Sequence, residues 1–250
     1  MKHTGDLANA RKVYLSKKNR NLDYLLEHRF SWMNKYIDQD SIGIEVGSGI
    51  ASSKDFIVAK SFLTTDFNES SWLDTKNVNA LNMPFKDSSK DFIIASNMLH
   101  HLAHPIDFFN EASRVLKPNG ILIIQDVHTS IFMRLILKLM HHEGYNELIN
   151  VFDKDLVCND PSDLWSANCS IPKLLFEKED FEKNFTGWKI IHDKKIEFLT
   201  FLNSGGVTAK TFYIKMPFLM LKLIHALDSM LIFCLPGIFA LQMQVVIKKI

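Results

Sequence analysis

The sequence predicts an α/β fold with a doubly wound, mostly parallel sheet, and two observations support this prediction. Continuous apolar segments, typical of strands buried on both faces, occur at 42–46, 61–66, 91–97 and 121–127. Segments with apolar residues at helical spacing separate them. Because strands that alternate with helices are joined by crossover connections, we expect parallel strands with helices on both faces of the sheet.

A helical region precedes the first strand. Residues Leu7 to Ile37 mix large apolar side chains with many Lys, Arg and Asn, and they include no Pro or Gly. This pattern predicts one or two amphipathic helices, which we describe as an N-terminal helical cap over residues 1–40. After the strand at 42–46, two glycines should turn the chain into a further helix.

Residues that interrupt helices and strands mark the limits of the predicted elements between 78 and 127. The sequence V-N-A-L near Val78 and the breaker M-P-F-K-D precede the strand at 91–97. Pro105 occupies a natural first-turn position of a helix that continues to Lys117. The sequence P-N-G then ends this helix before the strand at 121–127.

The second half of the chain is less regular. We predict helices at 130–142, 178–184 and 216–235, a strand at 188–199 and an antiparallel C-terminal strand at 239–250. These elements complete one α/β sheet.

Length and composition exclude several classes of protein. The 250 residues suffice for one domain with a sizeable core, and 47% apolar with 23% charged residues argues against disorder. A net charge of +1 gives no reason to expect a nucleic-acid partner. Cys158, Cys169 and Cys234 are consistent with unpaired thiols, and the polar start lacks a secretory apolar core. We therefore expect a single cytoplasmic domain, 1–250.

The sequence S-I-G-I-E-V-G-S-G-I-A-S-S, residues 41–53, indicates a nucleotide-binding turn. Ser52 occupies the third glycine position of the dinucleotide fingerprint, which argues against NAD. Glu45 ends a buried strand and requires a cation or a hydrogen-bond donor. Asp66 follows the second strand and suits ribose hydroxyls. An adenosyl ligand with an amino-acid tail satisfies both acids, although a plain turn and a helix N-cap at Asp66 are the alternatives.

Three segments resemble class I S-adenosylmethionine-dependent methyltransferases of the type 11, UbiE-like family. E-V-G-S-G-I-A resembles the family's first motif, with Ala51 in place of the third glycine. Residues 79–102 resemble the adenine-side loop and fourth strand, and residues 114–125 resemble the helix, turn and fifth strand. The resemblance spans roughly Ser41 to Val127. It implies a Rossmann-like methyltransferase sheet, S-adenosyl-L-methionine as cofactor and S-adenosyl-L-homocysteine as product.

The resemblance also implies the cofactor-binding residues, which lie on loops after successive strands. They are Glu45, Gly47, Ser48, Gly49, Asp66, Phe67, Asn79, Ala80, Asn97 and Met98. Position 79 carries Asn where relatives usually carry Asp. An amide oxygen can still accept a hydrogen bond from the adenine amino group.

The candidate catalytic residues are His101, Asp126 and His128, which follow strand ends. In-line methyl transfer requires alignment of a nucleophile and exclusion of water. An alcohol acceptor also needs a base, such as His or a carboxylate. Packing or loop hydrogen bonding for the histidines, and Arg pairing or turn capping for Asp126, are the alternatives.

No metal site is expected. The adjacent histidines in L-H-H-L-A-H should point apart on a helical turn, and no spaced carboxylate completes a ligand set. Cys158 and Cys169 with His141 and His142 match no zinc-finger or ribbon spacing.

The segment 152–172 is rich in aromatic, amide and acidic residues. It lies between the fifth strand and the last hairpin, where the family that the chain resembles forms its acceptor pocket. Trp165, Asn168 and Asp160 are therefore candidate substrate-binding residues. A packed surface excursion is the alternative interpretation. We assign residues 129–185 and 201–238 to acceptor-side insertions.

Two predicted helices, 130–142 and 216–235, are unusually apolar but are interrupted by charges and do not qualify as membrane spans. Burial on the sheet or in a homodimer interface is favoured over peripheral membrane contact. We expect methyl transfer, most favourably to oxygen, on a small-molecule, glycosyl or lipid-linked glycan acceptor. A non-catalytic methyltransferase-like binding subunit and an NAD-dependent oxidoreductase are the alternatives.

Overall fold

The computed structural model describes residues 6–140, 143–163, 165–176, 180–208 and 211–250. The helices in these ranges are α1 (Leu7–Leu15), α2 (Arg20–Phe30), α3 (Pro105–Val115), α4 (Ile131–Met140), α5 (Ile171–Phe176), α6 (Asp180–Asn184), α7 (Leu199–Leu202), α8 (Phe218–Cys234) and α9 (Pro236–Phe239). The strands are β1 (Ile42–Val46), β2 (Ser61–Thr65), β3 (Lys90–Ser96), β4 (Leu116–Val127), β5 (Trp188–Ile196) and β6 (Gln242–Lys249). Short 3-10 turns occur at Ser31–Lys35, Ser52–Asp55 and Leu99–His101.

The six strands form one sheet in the order β2-β1-β3-β4-β6-β5. Strands β1 to β4 pair in parallel, and β6 pairs antiparallel with both β4 and β5. The predicted mostly parallel sheet with an antiparallel C-terminal strand is confirmed. Because the chain passes from β1 outward to β2 and then back across to β3, the strand order reverses beside β1. Ligands of open α/β sheets bind at such a reversal, beyond the carboxyl ends of the strands.

Helices cover both faces of the sheet, as a doubly wound fold requires. On one face, Phe108 and Phe109 of α3 join a core cluster with Phe181 of α6. On the other face, Tyr14 of α1 and Leu22 of α2 pack in a second cluster. The N-terminal helices therefore form one layer of the fold.

The chain after the glycine turn differs from the prediction. A helix was expected there, but only the 3-10 turn Ser52–Asp55 forms before β2 begins at Ser61. Ile50 and Ile57 from this short connection pack in the same cluster as α1 and α2. The N-terminal helices thus bury the sheet face that a longer helix would otherwise have covered.

Other boundaries also shift. Helix α3 ends at Val115 and strand β4 begins at Leu116, so the P-N-G sequence that was expected to separate them lies inside the strand, at an irregularity in its register with β3. The helix α9 was not predicted, and α8 ends before Leu235. The predicted helix ends at 141–142 and 178 lie outside the described residues.

Ala51 provides a test of backbone strain in the turn. It adopts the left-handed conformation, with φ 53° and ψ 38°, which costs an L-residue about 1–2 kcal/mol. We expect Ala51→Gly to leave the free energy of unfolding unchanged or raise it by up to about 1 kcal/mol. The matched control Ala10→Gly, at a buried position inside α1, should lower it by about 0.5–1 kcal/mol. Urea unfolding measures both, and equal losses would contradict strain at Ala51.

Candidate functional site

The candidate site begins at the glycine turn after β1. Gly47 and Gly49 have φ values of +69° and +51°, which favour glycine. A Cβ at Gly47 would lie 2.8 Å from the Cβ of Met98, so the turn lies directly against the loop after β3. The Ser48 N–H donates to the Thr65 carbonyl at 3.0 Å. This bond joins the turn to the carboxyl end of β2.

Glu45 lies on β1 immediately before the turn and is almost completely buried. Its carboxylate accepts a hydrogen bond from Ser53 Oγ at 2.5 Å. Burial raises the pKa of Glu45 from 4.5 to about 7, against the lowering effect of hydrogen bonds from Ser53 and Ser48. The negative charge of Asp66 raises the pKa further. A cationic ligand group beside Glu45 would therefore stabilise its ionised form.

Asp66 and Phe67 follow β2 at the same edge of the sheet. The Asp66 carboxylate accepts the Gly49 N–H at 2.7 Å and the Asn68 N–H at 3.1 Å. It thus connects the end of β2 to the glycine turn, and two oxygens with four acceptor positions retain capacity for a ligand. The Phe67 ring is 49% exposed, which leaves a face available for stacking.

Asn79 and Ala80 lie in the connection between β2 and β3. The side-chain oxygen of Asn79 accepts the Leu81 N–H at 2.9 Å, so the residue stabilises its own turn. The oxygen expected to meet an adenine amino group is therefore partly engaged within the chain. The oxygen has a second lone pair and the residue is exposed, so Asn79 can still accept a hydrogen bond from an adenine amino group.

Asn97 and Met98 form the start of the loop after β3. Asn97 has a φ of 52°, a left-handed conformation that Asn tolerates, and its N–H donates to the Gln125 carbonyl at 2.7 Å. Its side-chain oxygen accepts from Gln242 Nε2 at 2.9 Å. The other side-chain atom of Gln242, Oε1, is buried without a hydrogen-bond partner in the described part of the chain. An unsatisfied acceptor therefore lies next to Asn97, one of the predicted cofactor-binding residues.

Asp126 is fully buried at the end of β4 and organises this loop. Its carboxylate accepts the N–H groups of Met98 at 3.0 Å and Leu99 at 2.8 Å. It also accepts the Val127 N–H at 2.7 Å and lies 2.5 Å from His100 Nδ1. Burial alone would raise the pKa of Asp126, but the charge of His100 and these hydrogen bonds hold it below its usual value. The geometry favours a positioning role over the predicted catalytic role.

The two candidate catalytic histidines have different surroundings. His101 is partly buried, and its Nδ1 lies 3.1 Å from the Ser166 carbonyl. Burial and the charge of His100 lower the pKa of His101 to about 4, so its ring is neutral at pH 7. His128 is buried after β4, with its Nδ1 3.4 Å from the Ala240 carbonyl. Of the two, His101 lies closer to solvent, and the catalytic roles of both stay predictions.

The segment 143–170 packs over the loop after β3. The Cys158 N–H donates to the Ala103 carbonyl at 2.8 Å, and the Asn168 N–H donates to the His100 carbonyl at 2.9 Å. The Asn159 side chain donates to the His100 carbonyl at 2.8 Å. Backbone hydrogen bonds thus hold an otherwise irregular segment in a defined place.

This segment lines a shallow cavity of about 540 Å³ that is open to solvent. Two of the three predicted substrate-binding residues, Asp160 and Asn168, line the cavity. The third, Trp165, packs edge-on against the His101 ring, with centroids 6.3 Å apart. The Asn168 side-chain oxygen accepts the Asn146 N–H at 2.9 Å, which also fixes the cavity wall. Asp160 and Asn168 are therefore placed at the cavity and Trp165 is not, and the substrate-binding roles of all three stay predictions.

Sequence reasoning missed several residues of the site. Ser53 lies within the quoted glycine segment, but nothing in its spacing indicates a bond to Glu45. Gln242 is distant in sequence, and its place beside Asn97 follows from the antiparallel pairing of β6 with β4. Glu143 lies 3.9 Å from His100 Nε2 and supplies the carboxylate that the sequence reading found lacking. His141 and His142, part of the rejected zinc pattern, lie outside the described residues.

Comparison with known proteins supports the resemblance. Residues 46–124 match the model of a family described as a methyltransferase domain. A SAM-dependent methyltransferase from Archaeoglobus fulgidus has 16% sequence identity and a TM-score of 0.52, over 96% of this chain and 99% of that chain. One from Methanosarcina mazei has 15% identity and a TM-score of 0.47, over 88% and 97%. At 16% identity the Archaeoglobus fulgidus structure indicates the fold alone. No curated protein sequence matches the chain significantly.

The buried Glu45 should make stability depend on pH. Its carboxyl ionises near 4.5 in the unfolded chain and near 7 in the folded chain. Between these values the folded chain keeps a proton that the unfolded chain has lost, so stability falls as the pH rises. We expect Glu45→Gln to raise the free energy of unfolding at pH 8 by on the order of 3 kcal/mol.

The gain should shrink as the pH falls toward 4.5, because Glu45 is then protonated in both states. Urea unfolding at several pH values measures it. The exposed Glu69→Gln serves as the control and should show no comparable gain. A gain at Glu45 that does not vary with pH would contradict the buried-charge explanation.

Proposed function

We propose that this chain, whose residues 46–124 match the methyltransferase domain family, binds S-adenosylmethionine at the carboxyl edge of its sheet and transfers the methyl group to an acceptor. One observation carries the proposal: Glu45 and Asp66, at the ends of neighbouring parallel strands, lie on either side of one glycine turn. The cofactor supplies an electrophilic methyl group on a positively charged sulfur. The chain binds it, aligns the acceptor and excludes water.

The residues present fit this cofactor. A Cβ at Gly49 would meet only Leu7 Cδ2, at 3.9 Å, so a ligand can approach the backbone of the turn closely there. Glu45 gains from an ammonium group, because burial disfavours its charge when it is unpaired. Asp66 suits the two ribose hydroxyls, and the exposed Phe67 ring suits the adenine face.

The acceptor side is proposed to be the cavity of segment 143–170. Asp160 and Asn168 would contact the acceptor there, and His101, whose ring is neutral at pH 7, is the candidate proton acceptor. A polar cavity of about 540 Å³ suits a small molecule or a glycosyl group. Transfer to oxygen is the reaction we propose.

A lipid-linked glycan is the acceptor class we favour within this proposal. Burial on the sheet or in a homodimer interface was expected for helix α8, and its outer side is not buried on the sheet. Leu219 is 68% exposed and Phe233 is 89% exposed, and Leu223 and Met230 are also exposed. No helix of the described residues is both long and apolar enough to cross a membrane. An exposed apolar helix that carries Lys222 suits peripheral contact with lipid, and a homodimer interface is the alternative.

Cofactor binding tests the first part of the proposal. Titration calorimetry should show binding of S-adenosylhomocysteine and none of NADH. Asp66→Asn should weaken this binding about tenfold or more, because it removes a charged acceptor. Glu69→Gln, an exposed carboxyl on the same connection, should bind normally. Binding of NADH in place of S-adenosylhomocysteine would overturn the proposal in favour of an oxidoreductase.

Labelled cofactor incubated with cell extract tests the acceptor class. We expect label in the lipid fraction, in a product that releases a methylated glycan on mild hydrolysis. Phe233→Ser in α8 should lower labelling of vesicle-bound acceptor several-fold, whereas Leu148→Ser, at a 96% exposed position outside the apolar helix, should not. Label in protein would overturn the acceptor class. Cofactor binding with no label in any fraction would support a non-catalytic binding subunit.

A further inference from the structure

Three potential metal ligands converge where segment 143–170 meets the loop after β3. One ligand atom from each of His100, His101 and Glu143 lies within 4.8 Å of the other two. The rings of the adjacent histidines have centroids 4.1 Å apart, so they do not point apart as the sequence pattern suggested. The carboxylate that no local spacing predicted comes from Glu143, more than forty positions along the chain.

Hydrogen bonds at Nδ1 orient both rings. His100 Nδ1 lies 2.5 Å from the Asp126 carboxylate, and His101 Nδ1 lies 3.1 Å from the Ser166 carbonyl. Since both partners are acceptors, each Nδ1 carries the proton. In each ring Nε2 is then the nitrogen left to bind a metal, and His100 Nε2 lies 3.9 Å from the Glu143 carboxylate. A carboxylate or carbonyl that fixes the far nitrogen of a ligating histidine is the usual arrangement at metal centres.

We propose that His100 Nε2, His101 Nε2 and the Glu143 carboxylate bind a divalent transition-metal ion of the Zn²⁺ class. Two imidazoles and one carboxylate are a ligand set that Zn²⁺ accepts, with a fourth position left for water or another donor. Tetrahedral ligands about 2.0–2.1 Å from zinc lie roughly 3.3 Å from one another. The present separations need a modest contraction, which the partly exposed side chain of Glu143 can supply.

Cys169 lies beside this ligand set. Its Sγ is 3.3 Å from a carboxylate oxygen of Glu143, and the residue is fully buried. A thiol in this place is a candidate fourth ligand, since thiolate favours Zn²⁺ over Mg²⁺. The ion would join the loop after β3 to the wall of the cavity. Gly144, which follows Glu143 in the chain, and Ser166, whose carbonyl is hydrogen-bonded to His101, both line that cavity.

The alternative is a metal-free network in which a charged His100 lies between Asp126 and Glu143. The two interpretations predict different affinities for a metal ion. Neither interpretation depends on methyl transfer. Metal binding needs neither the cofactor nor the acceptor, so it is tested separately from cofactor binding, although an ion on His101 Nε2 would exclude that nitrogen as the proposed proton acceptor.

Metal binding to the full chain tests the proposal. After treatment with chelator, the protein is dialysed against Zn²⁺ or Mg²⁺, and bound metal is counted by elemental analysis and titrated by calorimetry. We expect one Zn²⁺ per chain and no retained Mg²⁺. His101→Ala and the near-isosteric Glu143→Gln should each weaken Zn²⁺ binding by at least about tenfold. The matched control His104→Ala, in the same L-H-H-L-A-H sequence, should bind Zn²⁺ as the wild type does.

A measurement of folding distinguishes the loss of a metal ligand from unfolding of the variant. Zn²⁺ should raise the thermal unfolding temperature of the wild type and of His104→Ala, and it should leave that of Glu143→Gln unchanged. Circular dichroism establishes that Glu143→Gln is folded. Cys169→Ala should weaken Zn²⁺ binding if the thiol is the fourth ligand, and normal binding would assign that position to water. Absence of Zn²⁺ binding by the wild type, or unchanged binding by both His101→Ala and Glu143→Gln, would overturn the proposal.

Discussion

The buried carboxylate of Asp126 is the interaction on which the site depends. It accepts two successive backbone N–H groups, from Met98 and Leu99, and it holds the His100 ring. Hydrogen bonds to a charged group contribute about 1.5–3 kcal/mol each, and a buried carboxylate without them would be strongly destabilising. The loop after β3 is therefore fixed in one conformation. Met98 then lies against Gly47 and the His100 carbonyl lies against Asn159 and Asn168.

This loop connects two sides that would otherwise be independent. On one side, the glycine turn and the ends of β1 and β2 form the proposed cofactor site. On the other side, the described residues of segment 143–170 form one isolated parallel bridge, between Gly144 and Asn168, and hydrogen bonds to residues 100–103 help to fix the segment's position. A shift of Asp126 or His100 would consequently displace the cavity wall and the cofactor side together. We therefore interpret Asp126 as a positioning residue that keeps acceptor and cofactor aligned.

The site also contains polar groups whose requirements the chain alone does not satisfy. Glu45 is buried with a pKa raised to about 7, and Gln242 Oε1 has no hydrogen-bond partner among the described residues. The buried carboxyl of Glu45 and the unpaired oxygen of Gln242 each lower the stability of the ligand-free protein. A ligand with a cation near Glu45 and a hydrogen-bond donor near Gln242 would compensate for this loss. Strongly perturbed groups in a crevice are typical of functional sites. The unsatisfied groups lie where the glycine turn and the loop after β3 meet.

The sequence by itself determined the sheet, its strands and the order of the motifs, because apolar periodicity and glycine and proline signals act over a few neighbouring residues. It predicted Glu45, the glycine turn and Asp66 as the cofactor site from equally local signals. It did not determine the short 3-10 turn at Ser52–Asp55, since α1 and α2 replace the missing helix by packing from far along the chain.

Only the tertiary structure decided which distant side chains meet. Glu143 approaches His100, Gln242 approaches Asn97, and Ser166 turns the His101 ring, each through contacts between segments more than forty residues apart. The exposure of the outer side of α8 was likewise undetermined, because an apolar helix has the same sequence pattern whether it faces a core or a lipid surface. Local patterns specify elements, whereas the environment of a side chain depends on packing that no local pattern records.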